Sequence, residues 1–459
     1  MPSEMDLEGL LARQRAYFVS GKTCPVSFRR RQLERLSALL QEWEPQLLSA
    51  LSEDLGKAPF ESYATEIGLL QGEIRTALRS LRSWTAPQRV PGPILQFPSK
   101  GWRYPEPKGC VLIVSPWNYP VQLTLAPLIS AIAAGCCAIL SLPPDAPRTS
   151  AVLAKMLQGG YPQEYIAARM GNIPANTVLF SLPFDHIFFT GSPRVGKIVL
   201  AAAAENLTPV TLELGGKSPC IVMADADIRL AARRIVWGKC LNAGQTCVAP
   251  DYVLVQKEGK DALVRAMALE FHRIYPGGIA ANPDYPRIVN EKHFTRLRGL
   301  MEGEKLLFGG FCDPDSGKIE LTALDSPGPD SPVMREEIFG PILPVIAVAD
   351  FEEAARFVSA RPKPLACYLF TGSIRWGRKA MQRLSYGGGC LNDTVVHLTS
   401  PRLPFGGVGN SGMGACHGKA GFDTFTHWKS VLERSPRIDL PVRYPPYGER
   451  LSLLKKLMR

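Results

Sequence analysis

The 459-residue chain reads as an α/β protein built on parallel sheets. Three observations carry that expectation. Short, wholly apolar runs such as Cys110-Val111-Leu112-Ile113-Val114 have the composition of strands buried on both faces. Between these runs lie stretches of helical length, so the pattern is strand–helix–strand, repeated. That repetition sets the strands parallel and covers the sheet with helices on both sides. Gly-, Pro- and Asn-bearing turns follow several of the runs, at the strand ends where such sheets bind ligands.

The first hundred residues are expected to be helical. From Arg31, the positions Leu33, Leu36, Leu40, Trp43, Leu47 and Leu51 recur at three or four and mark one face of an amphipathic helix. Ile67, Leu70, Ile74, Leu78 and Leu81 mark a second. Residues 86–93 break helix and begin an extended excursion. Strands are then expected at 110–114, 138–140, 186–189 and 210–213, with helices at 119–134, 149–157 and 195–204. Residues 121–140 are almost uncharged, but Pro127 and Gly135 interrupt them, which fits a buried helix and strand better than a membrane span. A second lobe begins near Gly215, with strands at 220–223, 368–370 and 389–392 and helices at 228–237, 261–274 and 291–301. Residues 313–332, rich in Asp, Pro, Gly and Ser, read as surface loop.

The formal charge of +11 comes from basic residues spread along the chain, apart from short clusters such as Arg29-Arg30-Arg31. It reads as a solvated basic surface that favours anionic cofactors, not as a nucleic-acid site. Eleven cysteines show no C-x-x-C pair and no metal-ligand spacing, and the N-terminus lacks the apolar core of a signal peptide. Both point to reduced thiols in a cytoplasmic protein with no metal.

Six stretches carry candidate chemistry. In Gly244-Gln245-Thr246-Cys247 a thiol sits among small and polar residues, as a nucleophile would; the alternative is an inert buried cysteine. Ser115-Pro116-Trp117-Asn118 follows a buried strand, and the Asn118 amide suits either an oxyanion or the cap of the next helix. On the turn alone the cap is the better reading. Thr190-Gly191-Ser192-Pro193-Arg194-Val195-Gly196 offers free N–H groups at a helix start to a pyrophosphate, or simply a tight packed turn. Glu213, between two leucines and before Gly215-Gly216-Lys217, suits a general base. A structural ion pair with Lys217 or an arginine is slightly favoured for it. Glu337-Ile338-Phe339-Gly340-Pro341 and Pro404-Phe405-Gly406-Gly407 mix an aromatic with glycines, as where backbone bends round a ligand or a neighbouring subunit.

In this order and at these spacings, the motifs resemble those of the NAD(P)-dependent aldehyde dehydrogenase superfamily, over about residues 7–447. The ending, with His417-Gly418-Lys419 and Phe422-Asp423-Thr424-Phe425, looks most like the class 3 branch. The resemblance implies a Rossmann-type cofactor domain from residues 1–85 and 105–212, and a catalytic α/β domain from 213–400. It further implies oligomerisation segments at 86–104 and 401–445, a tail at 446–459, and a homodimer. It makes Cys247 the nucleophile, Asn118 an oxyanion donor and Glu213 the base that hydrolyses a thioester to the free acid, where relatives passing the acyl group to coenzyme A commonly lack the Glu. It assigns NAD or NADP to Ser115, Trp117, Ser141, Gly191, Ser192, Gly196, Leu214, Gly215, Glu337 and Phe339. One departure stands out: where the family commonly has Leu-Lys-Pro-Ser-Glu, this chain has Leu140-Ser141-Leu142-Pro143-Pro144. Lost charged hydrogen bonds of roughly 1.5–3 kcal/mol each would weaken the adenosine-ribose contact. The absent Glu also removes repulsion against a 2′-phosphate, which Arg148 is near enough in sequence to meet.

The competing expectations are a cysteine acyl hydrolase without a redox step and a cofactor-impaired binding protein. Residues 453–459 are basic and amphipathic, and are expected to dock or fray without anchoring stably in a membrane. The aldehyde itself is not legible.

Overall fold

Cys110–Val114 lies inside a six-stranded sheet, flanked by Cys137–Leu142 on one side and His186–Gly191 on the other. Beyond these lie Ile166–Met170 and Val210–Leu214, all five strands parallel, with Gly412–Met413 pairing antiparallel to the last. Strand order therefore reverses between Cys110–Val114 and His186–Gly191, and the turns after these two strands flank a topological switch point. The computed structural model of the chain describes residues 7–93, 96–439 and 443–458. The N-terminal residues 1–6 and Arg459 lie outside them.

A second sheet of seven strands runs Leu306–Phe308, Thr322–Asp325, Ile342–Val348, Tyr252–Gln256, Pro219–Val222, Ala366–Phe370, Gly388–Leu391. All its pairings are parallel except that of Leu306–Phe308. A third, antiparallel sheet joins Gln88–Pro91 and Ser99–Pro107 to Thr426–Arg434, so the extended excursion is held by the chain's late segment. The apolar stretch at 121–140 is the buried helix Pro120–Ala134 followed by the buried strand Cys137–Leu142. All eleven cysteines are free thiols.

Two expectations are corrected. The helix expected to run unbroken from Arg31 through Leu51 is two helices, Val26–Glu42 and Glu44–Leu55. Pro45 lacks an N–H and its ring crowds the carbonyl four residues back, so the first helix stops while its apolar stripe continues into the second. Residues 313–332 are not all surface loop: Thr322–Asp325 is a strand inside the second sheet, and Leu321, Ala323 and Leu324 are buried. Its apolar residues, Leu321, Ala323 and Leu324, are interrupted by Thr322 and masked by the polar residues around them.

Candidate active site

Cys247 follows a backbone reversal that few sequences tolerate. Asn242, Ala243 and Gly244 have φ of 50°, 51° and 74°, three successive left-handed residues. Gly244 is required there, because a Cβ would stand 2.3 Å from the Gly340 carbonyl oxygen. Side chains clamp the reversal. Gln245 Nε2 donates to the Asn242 and Arg287 carbonyls at 2.9 and 3.0 Å, and its Oε1 accepts from Val289 N–H at 2.9 Å. Glu61 accepts the Asn242 N–H at 2.8 Å, and burial pushes the Glu61 carboxyl up to about 7 against the pull of Lys57.

The Asn118 side chain does not cap the following helix. Its Nδ2 donates to the Gln245 carbonyl at 3.0 Å, which joins the switch-point turn to the Cys247 loop. An amide carries two N–H donors, so one remains. The Asn118 carbonyl is held twice, by Asn242 Nδ2 at 2.7 Å and by Lys57 Nζ at 3.0 Å. Lys57 is wholly buried and paired with the equally buried Glu66 at 2.7 Å. Glu66 in turn accepts from Val121 N–H at 2.8 Å, at the start of the Pro120–Ala134 helix. Lys57, Glu61, Glu66, Asn242 and the Gln245 side chain carried no sequence signal. Lys57 and Glu66 are nine apart, off any helical spacing, and only the fold makes them a pair.

Glu213 is buried at the end of Val210–Leu214, and neither carboxylate oxygen has a hydrogen-bond partner. Desolvation holds its carboxyl well above the usual 4.5, with the Cys416 thiol opposing. The expected ion pair with Lys217 is absent: Lys217 Nζ binds Asp251 and the Val333 and Glu336 carbonyls, the latter two at 2.7 and 2.9 Å. Asp251 also accepts the Ile338 N–H at 2.9 Å, so Lys217 and Asp251 together fix the Glu337 segment. Desolvation, with Asp251 adding, raises the Glu337 carboxyl to about 8. The Cys247 thiol is pushed up by desolvation first, then by Glu337 and Glu213, so it rests protonated.

Two cavities meet at Cys247. One, with about 1090 Å³ of empty space, is walled by Leu123, Trp237, Leu241, Val395 and Phe405. The other, about 2220 Å³, is lined by Trp117, Asn118, Gly191, Ser192, Gly215, Glu337 and Phe339 among others. Leu123, Thr190, Glu213, Leu214 and Cys247 line both. Phe339 holds a φ of 50° and meets Trp117 edge-on at 5.4 Å. A Cβ on Gly215 would fall 1.8 Å from Glu337 Oε2, so the carboxylate lies against bare backbone.

Three of the residues expected to bind cofactor are not among the cleft-lining residues. Ser115 Oγ lies 2.6 Å from Thr124 Oγ1, and Ser141 Oγ donates to Asn176 Oδ1 at 2.6 Å. Gly196 packs on Leu214, where a Cβ would come within 2.8 Å of the side chain. Arg148 faces Glu53 at 3.6 Å, both side chains largely exposed.

The large cleft fits a dinucleotide. It has the volume, the Ser192-capped start of the Pro193–Ala204 helix faces it, and Arg194, Arg296 and Lys363 line it with positive charge. A thiol set where an apolar tunnel opens into a dinucleotide-sized cleft suits an enzyme that holds an apolar substrate covalently beside a nucleotide cofactor. The family described as "Aldehyde dehydrogenase family" matches residues 3–431, and the chain belongs to it. It is 46% identical over 447 residues to the 4,4'-diaponeurosporen-aldehyde dehydrogenase of Staphylococcus aureus, covering 97% of each. It is 44% identical over 442 residues to the human aldehyde dehydrogenase family 3 member B1, covering 96% of this chain and 94% of that one. Among solved structures, one described as the substrate-bound state of Staphylococcus aureus AldH superposes with a TM-score of 0.96 at 45% identity, covering 99% of each chain. A NAD-dependent aldehyde dehydrogenase from Sinorhizobium meliloti gives 0.85 at 28% identity, covering 95% of this chain and 88% of that one. Among the described residues, no helix is long and apolar enough to cross a membrane.

Proposed function

We propose that the chain oxidises an aldehyde with a hydrocarbon chain to the free carboxylic acid, with Cys247 as covalent nucleophile and Glu213 as general base. The observation that carries this is the position of Cys247 at the meeting of tunnel and cleft, with the unpartnered Glu213 carboxylate lining the same two cavities. Cys247 loses its proton, Glu213 being a suitable acceptor, and the thiolate attacks the carbonyl carbon to give a thiohemiacetal. The Asn118 amide and the Cys247 backbone N–H hold the developing oxyanion. Bound NAD(P)+ supplies the hydride acceptor that turns this adduct into a thioester. After passing the thiol's proton to solvent, the Glu213 carboxylate takes a proton from water as the water attacks the thioester, and Cys247 leaves as a thiolate that is reprotonated as the product acid is released. Ser192 and the helix it caps suit the pyrophosphate; Glu337, Phe339 and Trp117 suit the nicotinamide end.

Both NAD and NADP are proposed to serve. Ser141 and Pro144 offer no charge against a 2′-phosphate, and the exposed Arg148–Glu53 pair is weak enough to yield its guanidinium. The third sheet and the exposed Val431, Leu432 and Ile438 suit a homodimer contact, which sedimentation at graded concentrations would measure. The central test follows reduced-cofactor absorbance and product acid with an alkanal, with and without coenzyme A. Stoichiometric free acid with either cofactor is expected. A coenzyme A thioester, or turnover without cofactor, would overturn the mechanism, and a strong preference for NAD would overturn the cofactor proposal.

A further inference from the structure

The tunnel that starts at Cys247 changes character along its length. Leu69, Gln122, Leu398, Thr399 and His417 line both it and a second cavity of about 740 Å³. Thr76, Arg79, Pro401 and His417 line that second cavity and a third of about 880 Å³. The three therefore adjoin in series. Their inner stretch is walled by apolar groups such as Leu123, Val395 and Phe405, whereas the outer two carry Arg75, Arg79, Arg402 and Lys419.

One helix, Gly68–Trp84, spans the change. Leu69 faces the tunnel, and Gly72, Arg75 with Thr76, and Arg79 follow at three- and four-residue spacing along the same face. At 1.5 Å per residue, Arg75 and Arg79 lie about 9 and 15 Å further along the helix than Leu69. The one acidic residue lining the outer cavities, Glu73, is engaged by His417 Nδ1 at 2.5 Å and Gly418 N–H at 3.2 Å. Lys419 is paired with Asp423. Among the described residues, the guanidinium groups of Arg75, Arg79 and Arg402 have no carboxylate partner. Exposed arginines are ordinary on a basic chain; three that converge, unpaired, on the cavities outside an apolar tunnel are not.

We propose that the preferred substrate is an amphipathic aldehyde bearing a carboxylate at the end remote from the carbonyl. This rests on the aldehyde-oxidation reading above and names its substrate class. The formyl carbon sits at Cys247, the hydrocarbon chain fills the tunnel, and the far carboxylate is held at the outer cavities by Arg75, Arg79 and Arg402. Guanidinium groups match a carboxylate in two-pronged fashion, and a cationic entrance raises the capture rate of an anion. Because the arginines are exposed, the gain is modest and falls with salt.

The test compares three series of matched chain length, assayed with both cofactors supplied: ω-oxo carboxylic acids, their methyl esters, and n-alkanals. At low ionic strength, kcat/KM for the oxo acid is expected to exceed that for its ester by about three- to tenfold. Arg75→Glu/Arg79→Glu should abolish that advantage and leave the ester and alkanal unchanged, and added salt should shrink it in the wild type. Arg75→Gln/Arg79→Gln, a milder change, should reduce the same ratio. Equal rates for acid and ester at every length, or variants that lower all three substrates alike, would overturn the proposal. If the wild type oxidises none of the three series, the parent reading fails and this one with it; if alkanals are oxidised and charge is immaterial, only this one fails.

Discussion

The strands Val210–Leu214 and Cys137–Leu142 belong to the same parallel sheet, yet their carboxyl ends treat polar atoms in opposite ways. At the first, both Glu213 oxygens are buried without a partner. At the second, Ser141 Oγ is bonded to Asn176, and Asp54 takes the N–H groups of Arg148 and Thr149 at 3.2 and 2.7 Å. A buried polar group without a hydrogen bond costs about 1–3 kcal/mol, more if charged. The bare carboxyl at the Val210–Leu214 end is what the proposed proton transfer by Glu213 requires. At the satisfied end Ser141 and Pro144 carry no charge, and local side chains bond one another.

The contrast breaks most completely at the nucleophile. Cys247→Ala should lower aldehyde oxidation by on the order of 10⁴-fold or more, with thermal unfolding little changed. Glu213→Gln should lower steady-state turnover by about 10²- to 10⁴-fold and slow, without abolishing, the first burst of reduced cofactor, because the carboxylate serves thiol deprotonation as well as thioester hydrolysis. The same variant tests the bare carboxyl through stability. Unfolded Glu ionises near 4.5, and the native pKa is held well above that. Between the two values the native chain keeps a proton that the unfolded chain has lost, so wild-type stability falls as pH rises, by up to about 1.4 kcal/mol per unit. Urea midpoints of Glu213→Gln measured from pH 5 upward should lack that component of the fall.

Asn118→Ala should cost about 10²- to 10³-fold in kcat, the range for a lost oxyanion donor. It also removes one of the two donors on the Gln245 carbonyl, the other being Asn242 Nδ2 at 3.1 Å, so a small stability loss should accompany it. At the satisfied end the effect should be smallest. Ser141→Ala is expected to cost about 0.5–1.5 kcal/mol in denaturation and to leave KM for NAD and NADP within about threefold. A large KM change there would mean that Ser141 turns outward to the cofactor and would erase the contrast.

What could be read in the sequence follows the same division. Cys110–Val114 and Pro120–Ala134 were legible because a strand buried on both faces and a wholly buried helix are apolar throughout. Thr322–Asp325 was not, since a four-residue strand with only Ala323 and Leu324 apolar resembles a loop until neighbouring strands enclose it. The site's residue types at Cys247, Glu213 and Asn118 were visible, but their partners were not. The choice between cap and Gln245 contact for Asn118 depends on a residue 127 positions away, and that between ion pair and bare carboxyl for Glu213 depends on Asp251, which takes Lys217 from 34 positions away. Local sequence weights the nearby partner, here a helix start or Lys217, and tertiary packing selects the distant one.

The wholly buried Lys57–Glu66 pair bears on more than geometry. Lys57 lies in the first, helical hundred residues, yet its ammonium grips the Asn118 turn of the first sheet, and through Asn242 that turn is tied to the Cys247 loop. Breaking such a pair strands a charge in the interior, so these three parts of the chain have little freedom to open one at a time. The Cys247 loop, left-handed residues included, is thereby placed in a cooperative unit with the early helices. Catalytic competence then becomes a reporter of global folding, lost in step with the core rather than by local fraying.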